Sequence, residues 1–302
     1  MAQKICLIDG SGYIFRAFYA LPPLTAPDGT PVNAVYGFTN MFLKLTSKIG
    51  CDYCLVLFDA KRKNFRNDIF ADYKGTRKET PEELIPQFPI IREAVEALNI
   101  SFLEMEGYEA DDLIATYADL ALAKGLEAVV VSGDKDLMQL IRSGIEFYDP
   151  MKDKFFTPED VKEKFGVYPE KVVEVQALSG DSIDNVPGIP GIGPKTAAQL
   201  IEEYGSVEGL LQHAHEIKQE KRRQTVLDNA ENARISLQLV TLKKDVPVEL
   251  PLQDFHCRCP DAERLHQFID KYGFNSLKAR LEKWLTERCN QVQHLAPAAL
   301  AV

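Results

Sequence analysis

The chain has 302 residues, of which 45% are hydrophobic, 26% charged and 9% aromatic. That composition excludes general disorder, and the length suits one large domain or two modest ones, either able to bury a core. The net charge is −10, from 35 Lys and Arg against 45 Asp and Glu, which on its face argues against a polyanionic partner.

In chain order, the start MAQKICLIDG holds one Lys and an apolar run of four, Ile5 to Ile8. This is too short for a signal peptide or a membrane span, and no later window is apolar enough for one, so no membrane association is expected. The Ile5–Ile8 run reads as a buried strand. Tyr53–Phe58 is a second, Ser101–Glu104 a weaker third, Ala128–Ser132 a strong fourth and Ile145–Tyr148 a fifth. Continuous apolar strands separated by longer helices predict a parallel sheet covered on both faces. From about Asp160 the β signal fades. Helices divided by Gly and Pro follow from Pro169 to about Leu242, and residues 261–285 read as one or two more. The expected organisation is an α/β core over 1–165, a helical region over 166–285 and a linker-like Ala/Pro tail over 286–302. The six Cys are scattered and read as reduced thiols of a cytoplasm. Cys51-x-x-Cys54 has no second such pair near it in sequence and reads as two small apolar residues entering a strand.

The acids fall where the strands end. Asp9 follows the first strand and Asp59 the second. Asp134 and Asp136 follow the fourth. In an open parallel sheet, ligands bind outside the carboxyl ends of the strands, and three strands deliver carboxylates there. Glu109, Asp111 and Asp112 open a helix that runs to about Lys124. One or two acids suit a helix N-terminus, but three in four residues exceed what capping needs. Asp181 and Asp184 share a face if their segment is helical. Nine converging carboxylates cannot all stay ionised without compensation. An all-oxygen set selects Mg²⁺ or Mn²⁺ over zinc, and nine suit two ions. A two-metal site is the usual apparatus for in-line attack on a phosphodiester. Setting these nine aside leaves 36 acids against 35 bases, so net charge does not exclude a nucleic acid.

The bases cluster beside the acids. Lys61 to Lys78 holds seven Lys or Arg and two acids, with Phe65, Phe70 and Tyr73 interleaved. A basic, aromatic stretch directly after Asp59 suits a strand of nucleic acid led to metals, with Lys61, Arg62 and Arg66 among its candidate contacts. The other reading is a solvated basic helix. Further on, residues 187–194 hold three Gly and three Pro in eight. The segment is neither a P-loop nor a Rossmann fingerprint. It reads as a helix–hairpin–helix element, in which Gly188, Gly191 and Gly193 shape the hairpin of 187–196. Lys195 and Thr196 then open a helix whose free N–H groups can bind a phosphate without reading sequence. A later cluster, Lys218, Lys221, Arg222 and Arg223, suits either duplex contact or plain surface.

Five segments carry a resemblance: LIDGSGYIFRAFYALPPL, LVLFDAKRKNFRNDIFADYKGTRKETPEEL, GYEADDLIAT, VVSGDKDLMQL and ALSGDSIDNVPGIPGIGPKTA. Together they resemble the 5′-nuclease domains of bacterial DNA polymerases I, in the flap endonuclease superfamily, over roughly residues 3–285. The resemblance implies a resolvase-like (PIN-like) α/β core, a helical arch near 61–90 and a helix–three-turn–helix region. It implies hydrolysis of 5′ flaps and 5′ ends in branched or nicked duplex DNA, and of RNA primers on DNA, during replication and repair. Asp9, Asp59, Glu109 and Asp111 match a first metal cluster. Asp134, Asp136, Asp181 and Asp184 match a second, with Asp112 as an outer-shell acid. Tyr73, Lys74 and Arg77 match the arch motif YKxxR. Lys74 and Arg77 are expected to neutralise the scissile phosphate, and Tyr73 to stack on the neighbouring base. The hairpin is similar to one that holds K⁺ through backbone carbonyls. A monomer in the bacterial nucleoid is expected, with a polymerase domain in cis or in trans; the chain is read as a stand-alone nuclease or an excised fragment. The rival readings are a branched-DNA binder without cleavage, a haloacid-dehalogenase phosphatase and a toprim enzyme. The full acid set argues against the first, and Asp9-Gly-Ser11 in place of DxD against the second. A toprim site explains neither the basic segment nor the hairpin.

Overall fold

The computed structural model describes residues 3–60 and 63–293. Its centre is a six-stranded sheet: β1 (Lys4–Asp9), β2 (Tyr53–Phe58), β3 (Ser101–Glu104), β4 (Glu127–Val131), β5 (Ile145–Asp149) and β6 (Lys154–Phe156). The spatial order is β3-β2-β1-β4-β5-β6; the first five strands are parallel, and β6 is an antiparallel edge. The five expected strands are present. The three-residue β6 was missed because Lys154-Phe155-Phe156 is too short to alternate.

Each central strand is buried on both faces because its side chains alternate between two cores. Ile5, Leu7, Leu55, Leu57, Ala128 and Val130 enter one core; Cys6, Ile8, Cys54, Val56, Val129 and Val131 enter the other. The second core takes in helices α1 (Gly10–Ala20), α2 (Asn33–Lys48) and, beyond the short α3 (Arg66–Ile69), α4 (Gln87–Ala97). The first is covered by α5 (Ala110–Ala123), α6 (Pro158–Phe165), α7 (Val172–Ser179), α8 (Pro194–Tyr204) and α9 (Val207–Gln212), joined by α10 (Glu220–Asp228) and α11 (Ala230–Val240). Helices α12 (Ala262–Lys271) and α13 (Lys278–Gln293) return to the second core.

The helices of residues 166–285 are shared between the two faces: α7–α11 lie on one face of the sheet and α12–α13 on the other. Two expectations need correction. Residues 286–293 are not a linker but the last turns of α13, held by Leu281, Trp284 and Leu285 in the core; residues 294–302 lie outside the described residues. The cysteines are not all free. Cys6 is bonded to Cys51 and Cys259 to Cys289, because β1 lies beside the entry to β2 and α13 lies beside residues 257–259. Cys54 and Cys257 are free and buried.

The strand order reverses direction between β1 and β4. Ligands of open α/β sheets sit outside the carboxyl ends of strands at such a switch point. Asp9 ends β1 there, and Asp134 lies just beyond β4 on the other side.

Candidate active site

Asp9 is 6% exposed and caps α1, its Oδ1 accepting from Gly12 N–H (2.8 Å) and its Oδ2 from Ser132 Oγ (2.7 Å). Two glycines make room for this turn. A Cβ on Gly10 would meet the Phe58 ring at 2.3 Å, and one on Gly12 would meet Asp9 Oδ2 at 2.4 Å. Capping therefore describes Asp9 correctly and incompletely: burial pushes its carboxyl up to about 6, and Asp59 and Asp134 add repulsion against the two hydrogen bonds. Asp111 is held well above the usual carboxylate range by burial, then by Asp134 and Asp9. Asp136 is pushed up to about 7 by burial and by Asp134. Asp59 is tied in through its Oδ1, which accepts from Ala110 N–H (2.9 Å). Asp9, Asp59, Glu109, Asp111, Asp134 and Asp136 thus share one electrostatic neighbourhood, with Asp134 acting on Asp9, Asp111 and Asp136 alike.

Glu109, Asp181 and Asp184 are already compensated by bases. Glu109 is 7% exposed and receives Lys74 Nζ (2.5 Å), Tyr73 Oη (3.2 Å) and Asn64 Nδ2 (2.9 Å). Asp184 pairs with Arg77 Nη2 (2.5 Å) and lies 3.6 Å from Lys74 Nζ. Asp181 pairs with Lys135 Nζ (2.9 Å); burial pushes its carboxyl up, but Lys135 and the Ile183 N–H hold it below the ordinary value. Lys74 is likewise held charged: burial lowers its pKa, and Glu109, Tyr73 and Asp184 raise it by more.

Three assigned roles do not survive the geometry. Arg66, expected on the DNA, is 1% exposed. Its Nη1 and Nη2 grip Asp112 Oδ2 and Oδ1 (2.7 and 2.8 Å), and its Nε reaches the Leu239 carbonyl (2.7 Å). Asp112, expected as an outer-shell acid, is fully buried and spends its oxygens on Arg66, Glu109 N–H (3.1 Å) and Lys243 N–H (2.9 Å). Such a pair is structural: it fixes the capping box of α5, and with it Glu109, against α11. Tyr73, expected to stack on a base, is 6% exposed and packs with Val186 and Leu239.

The expected helical arch is absent among the described residues. After the four-residue α3 the chain runs in turns to α4 and lies across the acids. Lys74, at φ 56°, donates its N–H to the Asp184 carbonyl (2.9 Å), and Asn185 Nδ2 donates to the Asp72 carbonyl (2.8 Å). Lys61 and Arg62 lie outside the described residues.

The hairpin divides into a structural and an open half. Gly188, at φ 60°, lies so close to Gly180 that a Cβ would meet Gly180 N at 2.5 Å, and its N–H is taken by Ser236 Oγ (2.9 Å). It has no donor for a phosphate, against expectation. Gly191, Gly193 and Lys195 are exposed and Thr196 half-buried at the start of α8, where the first N–H groups have no intrahelical partner.

Ser132, Asn64, Lys135, Gln176 and Ser236 support these groups and were not singled out from sequence. Only the first and third carried a signal, Ser132 ending the fourth strand and Lys135 sitting between two acids. Gln176 donates Nε2 to Asp136 (2.5 Å), and its Oε1 is buried without a donor. Among the described residues no three His, Cys, Asp or Glu side chains stand ready as a ligand set; Lys74, Arg77 and Lys135 hold three of the acids instead. The donor chemistry still fits hard divalent cations: it is all oxygen, and burial and neighbouring acids raise Asp9 and Asp111 despite Lys74 near Asp111.

Comparison with known proteins agrees with this architecture. Residues 4–166 match the family described as 5'-3' exonuclease, N-terminal resolvase-like domain, and residues 167–263 the family described as 5'-3' exonuclease, C-terminal SAM fold. The chain is 52% identical over 287 residues to DNA polymerase I of Rhizobium leguminosarum, covering 92% of this chain and 28% of that protein. It is 41% identical over 281 residues to a 5'-3' exonuclease of Aquifex aeolicus (strain VF5), covering 93% of this chain and 96% of that one. The fold resembles the bacteriophage T5 flap endonuclease solved with DNA and metal ions, at TM-score 0.68 and 19% identity, over 97% of this chain and 100% of the other. The chain spans about a third or less of the DNA polymerase I relatives it matches. No helix among the described residues is long and apolar enough to cross a membrane.

Proposed function

Because this chain belongs to the 5'-3' exonuclease family, we propose that it is a divalent-metal-dependent 5′→3′ exonuclease and 5′-flap endonuclease acting on branched or nicked duplex DNA. The observation that carries the reading is the switch-point acid cluster: Asp9, raised by burial and by Asp59 and Asp134, and Asp111, raised by burial and by Asp134 and Asp9. Asp9, Asp59, Glu109, Asp111, Asp134, Asp136, Asp181 and Asp184 would hold two Mg²⁺ or Mn²⁺ ions. When bound, such ions supply an activated water and neutralise charge on the leaving oxygen.

The chain's own residues do the rest. Lys74 and Arg77 stand on Glu109 and Asp184, and a scissile phosphate offers each the same kind of anionic partner. They would move from carboxylate to phosphate as substrate enters, which clears both acids for cations. Ser132 and the Gly12 N–H hold Asp9 in one orientation. Arg66 and Asp112 hold the turn that presents Glu109. The open half of the hairpin, Gly191 to Thr196, would dock the duplex by its backbone phosphates, with K⁺ as a carbonyl-bound bridge. A polymerase, in cis or in trans, would supply the nicked and flapped substrates.

The test uses a 5′-flap DNA labelled at the 3′ end of the flapped strand, incubated in Mg²⁺ and in EDTA. Mg²⁺-dependent cuts near the junction, with slower shortening of a blunt 5′ end, are expected. Tight binding without cuts in Mg²⁺ or Mn²⁺ would make the chain a non-catalytic binder.

A further inference from the structure

The six cysteines, spread from position 6 to 289, gather at one end of the molecule. Cys51-x-x-Cys54 has no companion nearby in sequence, but the fold supplies one from about 200 residues downstream, Cys257-x-Cys259. The Cys257 N–H donates to the Asp52 carbonyl (2.8 Å), and His256 bridges Tyr53, so this segment runs beside the entry to β2. Cys6 sits in register with Cys54 on the adjacent strand and is bonded to Cys51. Cys6, Cys51, Cys54, Cys257 and Arg288 line one cavity of about 10 Å³. Arg288 of α13 is 4% exposed and faces the thiols of Cys54 and Cys257. The second disulfide, Cys259–Cys289, ties the same stretch of α13 to the same downstream segment. Along β1, Cys6 is three residues, roughly 10 Å, from Asp9, so this site lies outside the acid cluster.

We propose that the cluster is a layered site of reversible oxidation, with low-molecular-weight disulfides as its oxidant and dithiols as its reductant. Its outer layer is Cys259–Cys289, which clasps α13 and guards the inner four cysteines. The layering follows from access. Cys259 is exposed and Cys289 half-buried, while Cys6, Cys51, Cys54 and Cys257 are each 6% exposed or less. The inner surface is sealed by α13 through Trp284, Leu285 and Arg288, with Trp284 Nε1 donating to Thr46 Oγ1 (2.8 Å). Burial pushes the Cys54 and Cys257 thiols up, against the pull of Arg288, so they stay protonated and unreactive while α13 is seated. Oxidation of the outer pair is two exchanges. One protein thiolate attacks the small disulfide, forming a mixed disulfide and expelling one small thiolate. The second protein thiolate attacks the mixed disulfide and expels the other. Two protein thiols are oxidised, and one small disulfide is reduced to two thiols.

The experiment uses the full chain treated with oxidised glutathione, then denatured, alkylated and mapped by mass spectrometry. Free Cys54 and Cys257 are expected, with 6–51 and 259–289 peptides joined. In a dithiothreitol time course on the folded chain, Cys259 and Cys289 should become alkylatable at least tenfold faster than Cys6 and Cys51. Opening the outer pair should lower the thermal midpoint by roughly 5 °C. In Cys289→Ser, Cys6–Cys51 should open at least several-fold faster than in the parent. Six free thiols after oxidation, or equal opening rates for the two pairs in the parent, would overturn the proposal. So would one tightly held metal ion per chain that is released when the cysteines are alkylated, because the cluster would then be a metal centre.

Discussion

Two segments of this chain carry the same kind of sequence signal and fold in opposite ways. Residues 63–77 and 188–196 both read as contacts for a nucleic acid backbone, one by its bases and aromatics, the other by its glycines and a helix start. In the structure the first lies down on the acids. Arg66 is buried on Asp112, Tyr73 is buried against Val186 and Leu239, and Lys74 and Arg77 are bonded to Glu109 and Asp184. The second presents Gly191, Gly193 and Lys195 to solvent. What separates them is the neighbour. A base beside a crowded carboxylate cluster meets a partner within its own chain, and a base at a lone helix start does not. Charge composition locates bases but does not say what they face.

The comparison is sharpened most by removing an acid that no base pairs with among the described residues. Asp134 acts on Asp9, Asp111 and Asp136 at once. Asp134→Ala should slow flap cleavage by about a thousandfold or more, while a gel-shift titration shows branched-DNA binding largely kept. Unchanged cleavage would remove Asp134 from the metal site. Next comes the buried base. Arg66→Ala leaves Asp112 without its counter-ion and should cost about 3–5 kcal/mol of stability in a denaturant titration. DNA affinity lost at full stability would instead return Arg66 to the interface and break the contrast between the two segments.

Lys74 stands between these cases, since its present partner is an acid of the site. Lys74→Ala should slow cleavage about ten- to a hundredfold and weaken binding much less. A larger loss in binding than in rate, by single-turnover kinetics, would make Lys74 a docking residue. The acid cluster itself carries a pH signature. Asp9 ionises near its ordinary value when unfolded and at about 6 when folded. Its carboxyl therefore binds a proton more tightly in the folded chain, and stability falls as the pH rises between those two values, by at most about 1.4 kcal/mol per pH unit. Relative to the parent in EDTA, Asp9→Asn should gain thermal midpoint over that window and level off above it. A constant difference would mean that burial is not what raises Asp9.

The fold was legible where one strand face repeats on the next. Five strands follow from apolar runs such as YCLVLF and EAVVV, because both faces are buried and no polar residue interrupts them. Asp9, Asp59 and Asp134 were legible as a group because each falls at or just beyond the end of a strand. Asp112 was misread for a physical reason: it sits one residue past Asp111, and on a helix that is a turn of about 100°, enough to point it at Arg66 instead of the cleft. Arg66 was misread because its partner is 46 residues away. Tyr73 was misread because Val186 and Leu239, which cover it, come from the C-terminal helical region. The cysteine cluster was invisible for the same reason, its two halves meeting only through the return of the chain to β2.

The smallest effect tests the open segment. Lys195 is exposed in the first turn of α8, so its removal exposes no buried charge and should leave the unfolding midpoint unchanged within error. If it meets one backbone phosphate, Lys195→Ala should weaken binding about equally for different duplex sequences and lower the slope of log affinity against log salt by about 1. Cleavage per bound complex should not change, because a hairpin that only positions the duplex would touch no reacting atom. A changed single-turnover rate at saturating enzyme would place Lys195 with Lys74, and the line between the covered and the open segment would have to be redrawn.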